Sequence, residues 1–154
     1  MLFANSPVLF GQVPGKAFAQ GNVLNYLPAK KVTAKPGATV DSALPIELRS
    51  GYHVNSNTPS DDYLIPLRLT WDSGVLESTG FTFPKAQMEK YSFSEKPLSV
   101  YTGDFEIVTH FKVPANAAPG PSTLTGKLRY QACNNTMCLP PKTLEVSLQV
   151  EIVK

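Results

Sequence analysis

The chain has 154 residues, of which 42% are hydrophobic and 17% are charged, and its formal net charge is +2. This balance is typical of a globular domain and excludes a disordered chain. The small net charge gives no indication of binding to nucleic acid or to an anionic membrane. Fourteen prolines and ten glycines argue against long helices, and no apolar run is long enough to span a bilayer. The sequence therefore predicts one turn-rich domain.

The N-terminal segment at residues 1–28 is predicted to be a leader or a flexible arm, with the folded domain at residues 29–154. Residues up to about Tyr26 are expected to add little to the core. The Ala-Phe-Ala sequence at residues 17–19 fits the small-residue pattern of a signal-peptidase site, with cleavage before Gln20. No basic segment precedes it, and prolines and polar residues interrupt the apolar stretch. The segment is either the tail of a longer export signal or a plain arm.

Alternating apolar and polar residues predict a series of short strands separated by turns. In chain order these are residues 29–34, 43–49, 52–55, 63–71, 75–83, 98–101, 105–113, 124–133 and 144–152. Pro66, within the fourth of them, indicates an edge position or a bulge. Seven to nine short strands with frequent turns predict an all-β, immunoglobulin-like antiparallel β-sandwich.

Residues 85–97 show no clean periodicity. They mix Met88, Tyr91 and Phe93 with five charged side chains. We predict a long loop with at most one helical turn. Loops of this length in a compact domain are often functional.

Both cysteines lie close together, as Cys133 and Cys138, between two of the predicted strands. The four residues between them are polar and turn-forming, so we expect the sulfur atoms at a strand tip near solvent. A disulfide there would close a ring of about six residues, which stabilises a fold by only about 2 kcal/mol. We therefore interpret the pair as a reversible disulfide that passes electrons, because exchange needs a sulfur accessible to an attacking thiolate.

Other interpretations of the cysteine pair remain open. The disulfide could be a structural hairpin bridge in a non-catalytic immunoglobulin-like binding module, or the cysteines could be unrelated buried thiols. A redox-sensing or copper-handling pair is a further alternative. Cys133 and Cys138 with His53 and His110 form a poor tetrahedral set, so no metal site is predicted.

Two segments resemble a known family. Residues 130–141 read YQACNNTMCLPP, and together with their flanks they resemble the active-site strand and hairpin of the N-terminal periplasmic domain of the thiol:disulfide interchange protein DsbD. Residues 51–57 (GYHVNSN), followed by residues 63–66 (YLIP), resemble a second signature of that family. The likeness covers residues 32–154. The best-known members have one more residue between the two cysteines.

The resemblance implies an immunoglobulin-like domain that receives electrons from a thioredoxin-like or membrane-embedded donor. It would then reduce periplasmic disulfide-bearing proteins, as a protein-disulfide reductase of the kind that serves cytochrome c biogenesis. Cys133 and Cys138 match the family's redox pair, with Cys138 as the cysteine that forms the mixed disulfide. No separate cofactor is implied, since the chemistry is thiolate attack. A monomer in the periplasm or another extracytoplasmic compartment is expected, either stand-alone or part of a larger membrane protein.

Members of this family also shield the disulfide with a loop that carries an aromatic cap. Residues 85–97, called the cap loop below, are the matching segment, with Phe93 or Tyr91 as the cap. The alternative is that both rings only fill core space. His53 could tune a thiolate if it lies close to one, or it could be a structural histidine. Other residues that match family positions near the pair are Tyr52, Asn55 and Tyr130.

Overall fold

The computed structural model describes Phe18 and residues 22–154. These residues form twelve β-strands and no helix, and so contain no helix able to cross a membrane. The prediction of an all-β, immunoglobulin-like sandwich is confirmed. The strands are β1 (Leu24–Tyr26), β2 (Val32–Ala34), β3 (Thr39–Leu48), β4 (His53–Asn55), β5 (Arg68–Trp71), β6 (Glu77–Thr82), β7 (Gln87–Glu89), β8 (Leu98–Thr102), β9 (Phe105–Lys112), β10 (Gly120–Tyr130), β11 (Ala132–Cys133) and β12 (Lys142–Ile152).

The strands form three four-stranded sheets. The first sheet has the order β1-β3-β9-β6, the second β2-β12-β10-β5 and the third β11-β4-β8-β7. The pairing of β2 with β12 is parallel, and the other pairings are antiparallel. Only Gln131 separates β10 in the second sheet from β11 in the third, so one extended segment carries the chain from the sandwich to the cysteines.

The core lies between the first and second sheets, and one face of the third sheet packs against it. Alternation along β10 buries Leu124 and Leu128, which pair with Leu148 and Leu144 of β12. Each fully buried leucine contributes roughly 1.5–3 kcal/mol relative to an exposed one. Trp71 packs against both apolar clusters of the core, and its indole N–H donates to Thr109 Oγ1 at 3.0 Å.

The N-terminal boundary differs from the prediction. Strand β1 pairs with β3, and Val23 and Leu24 are buried in the main core, so the expectation that residues up to Tyr26 add little is wrong. The short strand lacks alternation in the sequence, and its partner strand supplies its hydrogen bonds. Of the proposed signal-peptidase site, only Phe18 lies within the described residues, with its ring 5.3 Å from the Arg49 guanidinium; the rest lies outside them.

Two other segments also differ from their predictions. The segment predicted as a loop contains strand β7 at Gln87–Glu89, paired with β8, followed by one turn in which the Ser94 N–H donates to the Tyr91 carbonyl at 3.2 Å. The strand expected at residues 63–71 contains only Arg68–Trp71, and Pro66 lies before it. Proline has no N–H to donate to a strand ladder, which explains why the strand begins after it.

Candidate redox site

The two cysteines face each other in a tight hairpin, residues 132–139, called the cysteine hairpin below. Their sulfur atoms are bonded at 2.04 Å. The Leu139 N–H donates to the Ala132 carbonyl at 2.8 Å, and the Asn134 N–H donates to the Met137 carbonyl at 2.9 Å. Cys133 and Cys138 lie between these two bonds as a non-hydrogen-bonded cross-strand pair, in which opposite side chains approach most closely.

The side chain of Asn134 holds the turn of the cysteine hairpin. Its Oδ1 accepts hydrogen bonds from the backbone N–H groups of Thr136 and Met137, both at 2.9 Å, and from Thr136 Oγ1 at 3.1 Å. A short amide side chain that bonds the backbone two residues later is a common turn-forming device. The tip, residues 135–137, is exposed, as the polar spacer predicted.

The two sulfur-bearing residues differ in their access to solvent. Cys133 is 0% exposed, whereas Cys138 is only half-buried. The expectation that both thiols lie near solvent is therefore wrong for Cys133. Ala132 points into the main core, so Cys133 points to the opposite face of the third sheet, and the cap loop covers that face.

A row of side chains crosses the third sheet from the disulfide. Cys133 is paired with His53 on β4, and His53 is paired with Thr102 on β8. His53 is 2% exposed, and its Nε2 has no hydrogen-bond partner among the described residues. Burial lowers the pKa of His53 to about 4, because desolvation penalises the charged form. The imidazole is therefore neutral at pH 7.

Three rings form an aromatic stack over this row. The His53 and Tyr91 centroids are 4.0 Å apart, with their planes inclined by 15°, and Tyr91 and Phe93 are 5.5 Å apart at 10°. Tyr91 also packs against the small buried cluster of Leu64, Leu98 and Val100. Burial and, to a lesser extent, the Glu89 carboxylate raise the pKa of the Tyr91 phenol. Tyr91 therefore fits both interpretations of the cap rings, because it fills space in a small buried cluster and also covers the site.

The cap loop is also tied to the cysteine hairpin by a hydrogen bond. Ser92 Oγ donates to the Asn135 carbonyl at 2.9 Å. Within the loop, Lys90 Nζ donates to the carbonyls of Tyr91 and Ser94. The contact of Ser92 with the cysteine hairpin was not predicted from the sequence. The one feature of the sequence that could have indicated it is a polar residue between the two candidate cap rings.

Two amide side chains support the base of the cysteine hairpin. Asn55 Nδ2 donates to the Ile65 carbonyl at 3.0 Å and to Gln131 Oε1 at 3.4 Å. Gln131 Nε2 in turn donates to the Leu139 carbonyl at 3.4 Å. Asn55 is thus linked to the cysteine hairpin through Gln131. That second residue belonged to the sequence motif without an assigned role.

The two remaining predicted tyrosines are placed differently. Tyr52 is half-buried and lines a cleft of about 420 Å³ together with His53, Tyr91 and Asn135. Tyr130 is 1% exposed in the main core, and its hydroxyl has no partner among the described residues. Burial raises the pKa of the Tyr130 phenol. Its side chain shares the core face with Ala132, so the structure does not bring it onto the face of Cys133.

The positions of the cysteines and of His110 bear on the alternative interpretations of the cysteine pair. The bond between Cys133 and Cys138 excludes two unrelated thiols. His110 lies on β9 in the first sheet, where its ring nitrogens contact Asp41 Oδ1 at 2.7 Å and Thr82 Oγ1 at 2.6 Å. In the part of the chain that the structure describes, no three His, Cys, Asp or Glu residues form a group suited to a metal ion.

A protein-family model described as "Thiol:disulfide interchange protein DsbD, N-terminal" matches residues 21–150. The chain belongs to this family. The resemblance found in the cysteine segment is thereby confirmed, and the matched region includes strand β1 as well as the whole cysteine hairpin. No curated protein matches the chain.

Solved structures share the architecture at low sequence identity. The N-terminal periplasmic domain of ScsB from Proteus mirabilis is 12% identical with a TM-score of 0.54, over 81% of this chain and 44% of that one. This chain thus spans less than half of the ScsB chain, and the likeness concerns the fold. The DsbD N-terminal domain of Neisseria meningitidis in the reduced form is 18% identical with a TM-score of 0.48, over 82% and 86% of the two chains. A type I cohesin–dockerin structure from Clostridium thermocellum gives 14% identity and a TM-score of 0.47, over 86% and 100%.

Proposed function

We propose that this chain is an extracytoplasmic thiol–disulfide exchange domain that relays electrons through Cys133 and Cys138. The observation that carries the proposal is the place of the disulfide. It closes a hairpin of its own, on the face of the third sheet that points away from the main core, under a loop. A bridge in that position can open while the sandwich between the first and second sheets stays intact.

The small ring also argues against a purely structural bridge. Cys133 and Cys138 are separated by five positions, so the cross-link restricts the unfolded chain over a short segment only. Such a ring stabilises the fold by about 2 kcal/mol, whereas a bridge between distant strands would contribute more. The hairpin also has its own backbone hydrogen bonds and the Asn134 turn, none of which involves the sulfur atoms.

The difference in burial supports Cys138 as the cysteine that exchanges with partners. A donor thiolate attacks Sγ of half-buried Cys138, which forms the donor–Cys138 disulfide and breaks the Cys133–Cys138 bond. Cys133 leaves as a thiolate and takes up a proton. A second donor thiolate then attacks the mixed disulfide and releases Cys138, so the donor is oxidised and this domain gains two electrons and two protons. Transfer to an acceptor disulfide runs through the same steps in reverse, with the Cys138 thiolate as nucleophile.

Family membership supports the choice of partners and compartment. A thioredoxin-like or membrane-embedded dithiol would be the electron donor, and periplasmic disulfide-bearing proteins would be the acceptors. The exchange needs no cofactor, because the two sulfur atoms carry both electrons. The cap loop, with Tyr91 and Phe93, would shield the disulfide until a partner docks and displaces it.

The test separates the two cysteines. The probe is a thioredoxin-like protein with one reactive cysteine, activated as a mixed disulfide with thionitrobenzoate, whose release is coloured. Cys133→Ser keeps the Cys138 thiol and should displace the thionitrobenzoate and form a stable protein–protein disulfide. Cys138→Ser should react at least about tenfold more slowly, because its remaining thiol is buried. Absence of reaction in both variants would contradict exchange, and faster reaction of Cys138→Ser would reverse the assignment of the attacking cysteine.

The complete burial of Cys133 also favours a second candidate, a non-catalytic binding module with a structural hairpin disulfide. This candidate predicts that the bridge stays oxidised in mild thiol. It also predicts that Cys→Ser variants lose stability but keep partner binding. Retention of the disulfide in millimolar glutathione, with unchanged partner binding by both variants, would favour it over exchange.

A further inference from the structure

A buried, neutral imidazole lies next to the buried half of the disulfide. His53 and Cys133 are directly opposite each other on neighbouring antiparallel strands, where opposite Cβ atoms are about 4.5–5.5 Å apart. Their side chains therefore share one face of the sheet. Among the described residues, His53 Nε2 has no hydrogen-bond partner although it is inaccessible to solvent. Buried polar atoms without partners are uncommon in folded proteins, so this one calls for an explanation.

The cap loop keeps this imidazole out of water. The Tyr91 ring lies 4.0 Å from the His53 ring and nearly parallel to it, and the Phe93 ring lies beside both, 5.5 Å from Tyr91 and 6.4 Å from His53. Phe93 is 38% exposed and residues of the loop are mostly exposed, so the outer side of the stack faces solvent. Removing the Tyr91 ring, which stacks directly on the imidazole and packs outside the main core, would open the imidazole to water.

We propose that His53 is a proton-binding positioning residue whose access to protons is controlled by the cap loop. With Tyr91 stacked on it, the imidazole stays neutral. When a docking partner displaces the loop, His53 takes up a proton and stabilises the Cys133 thiolate that leaves as Sγ of Cys138 is attacked. This inference rests on the proposed function, and it assigns to the loop a chemical role besides shielding.

The charged groups around His53 are compatible with this role. From β11 and the cysteine hairpin the titratable neighbours are the two cysteines themselves, and from β8 the facing residue, Thr102, is uncharged. The remaining titratable groups lie in the cleft beside the ring and in the cap loop, and they are Arg49, Tyr52, Asp104, Lys85, Glu89, Lys90, Tyr91, Glu95 and Lys96. Burial alone is the cause that lowers the pKa of His53 to about 4, so exposure should return it toward about 6.5.

The partner supplies the electrons for this step, and solvent supplies the proton. The donor thiolate supplies the electron pair for the new bond to Cys138. The electron pair of the broken S–S bond stays on the departing Cys133 sulfur. The proton on His53 comes from solvent once the loop is displaced. It is passed to the Cys133 thiolate when the imidazole loses its charge as the loop closes again.

The first experiment measures the ionisation of Cys133 alone. In Cys138→Ser, the thiolate of Cys133 is followed by its ultraviolet absorbance as a function of pH. The loop is displaced with Tyr91→Ala, and the matched control adds His53→Phe, which keeps a ring but has no proton site. We expect the Cys133 midpoint to lie at least about one pH unit lower with His53 than with the control. Equal midpoints in the two variants would overturn the proposal.

A second measurement covers the case in which these variants fold poorly. The His53 ring is titrated by NMR in the oxidised protein, where both cysteines are present, with and without Tyr91→Ala. The expected midpoint is about 4 with the stack in place and about 6.5 without Tyr91, the value of an exposed histidine. An unchanged midpoint would show that the cap loop does not control the proton.

The two proposals can fail separately. If the thionitrobenzoate test is negative but the midpoints shift, the exchange function fails and the coupling between loop and histidine remains. If the thionitrobenzoate test is positive but the titration midpoint of Cys133 is the same with and without His53, the exchange function is supported and His53 is a structural histidine.

Discussion

The two faces of the third sheet are covered in different ways. On one face, Val54, Tyr101 and Ala132 belong to the main apolar core and are held by strands of the other two sheets. On the other face, Cys133 and His53 lie under the cap loop. The loop is attached by the pairing of β7 with β8, by stacked rings, by the small cluster around Tyr91 and by a hydrogen bond from its Ser92 side chain.

This contrast explains how one small domain can be both rigid and reactive. The core face is buried by continuous strand pairs, which open only when the domain unfolds. Beyond strand β7, the cap-loop face is covered by a segment of mostly exposed residues, which a hydrogen bond from the Ser92 side chain joins to the cysteine hairpin. We expect a disulfide on that second face to be uncovered at a lower cost in free energy than the core face, while the strands that position it remain fixed.

The largest expected effect comes from the core face. Leu128, at 0% exposed, lies in the main cluster, so Leu128→Ala should lower the free energy of unfolding by roughly 2–5 kcal/mol. Phe93→Ala, on the outer layer of the aromatic stack, should cost less than about 1 kcal/mol because the ring is 38% exposed. Urea denaturation of both variants checks the comparison. Equal losses would mean that the cap loop is as much a part of the core as β10.

The pH dependence of stability should be next in size. His53 has a pKa of about 4 in the folded domain, against about 6.5 when unfolded. Between these values the unfolded chain binds more protons, so the free energy of unfolding falls as the pH is lowered from about 6.5 to about 4. One pKa unit corresponds to about 1.4 kcal/mol, which makes the loss up to about 3 kcal/mol.

The control for this prediction is His53→Phe, which keeps a ring in the stack and cannot be protonated. Denaturation curves at several pH values should show a shallower fall in stability for the variant than for the wild type. Carboxylates titrate in both proteins, so the difference between them isolates His53. Parallel curves would contradict a buried neutral histidine.

The disulfide should contribute less than the core. Replacing both cysteines by alanine should lower the free energy of unfolding by about 2 kcal/mol, since the ring is small. The circular dichroism spectrum of the sandwich should be unchanged. A loss of more than about 4 kcal/mol in the free energy of unfolding, or an unfolded variant, would identify the bridge as a structural disulfide.

The smallest effect should come from the side-chain hydrogen bond between the loop and the cysteine hairpin. Ser92→Ala removes the bond to the Asn135 carbonyl, which is worth about 0.5–1.5 kcal/mol. The loop should open more often, and a small dithiol should reduce the disulfide roughly two- to tenfold faster. Ser94→Ala is the matched control, because Ser94 Oγ bonds Lys96 within the loop. Equal acceleration of disulfide reduction in both variants would argue against a specific role of the Ser92–Asn135 hydrogen bond.

Much of the sandwich could be predicted from the sequence because its strands alternate. The segments of β3, β9, β10 and β12 each bury one face, and apolar residues at every second position reveal them. Strand β1 and strand β7 were missed because neither alternates: β1 has one buried and two half-buried residues, and β7 is exposed throughout. Each is held by pairing with a later strand, β1 with β3 and β7 with β8.

The site was predicted in part for a similar reason. The spacing of Cys133 and Cys138 indicated a hairpin disulfide, and the polar spacer indicated its exposed tip. The burial of Cys133 could not be read from the sequence, since it depends on a loop some 40 residues earlier folding over the opposite face. The stacking of His53 under Tyr91 and the tie through Ser92 depend on that same long-range contact.

The most direct test of the central claim is the reduction potential of the Cys133–Cys138 pair, obtained by equilibration in glutathione buffers with alkylation trapping. We expect a value between roughly −180 and −270 mV, the range of proteins that exchange disulfides with partners. A value below about −300 mV is that of structural bridges in secreted proteins and would contradict electron transfer through this pair.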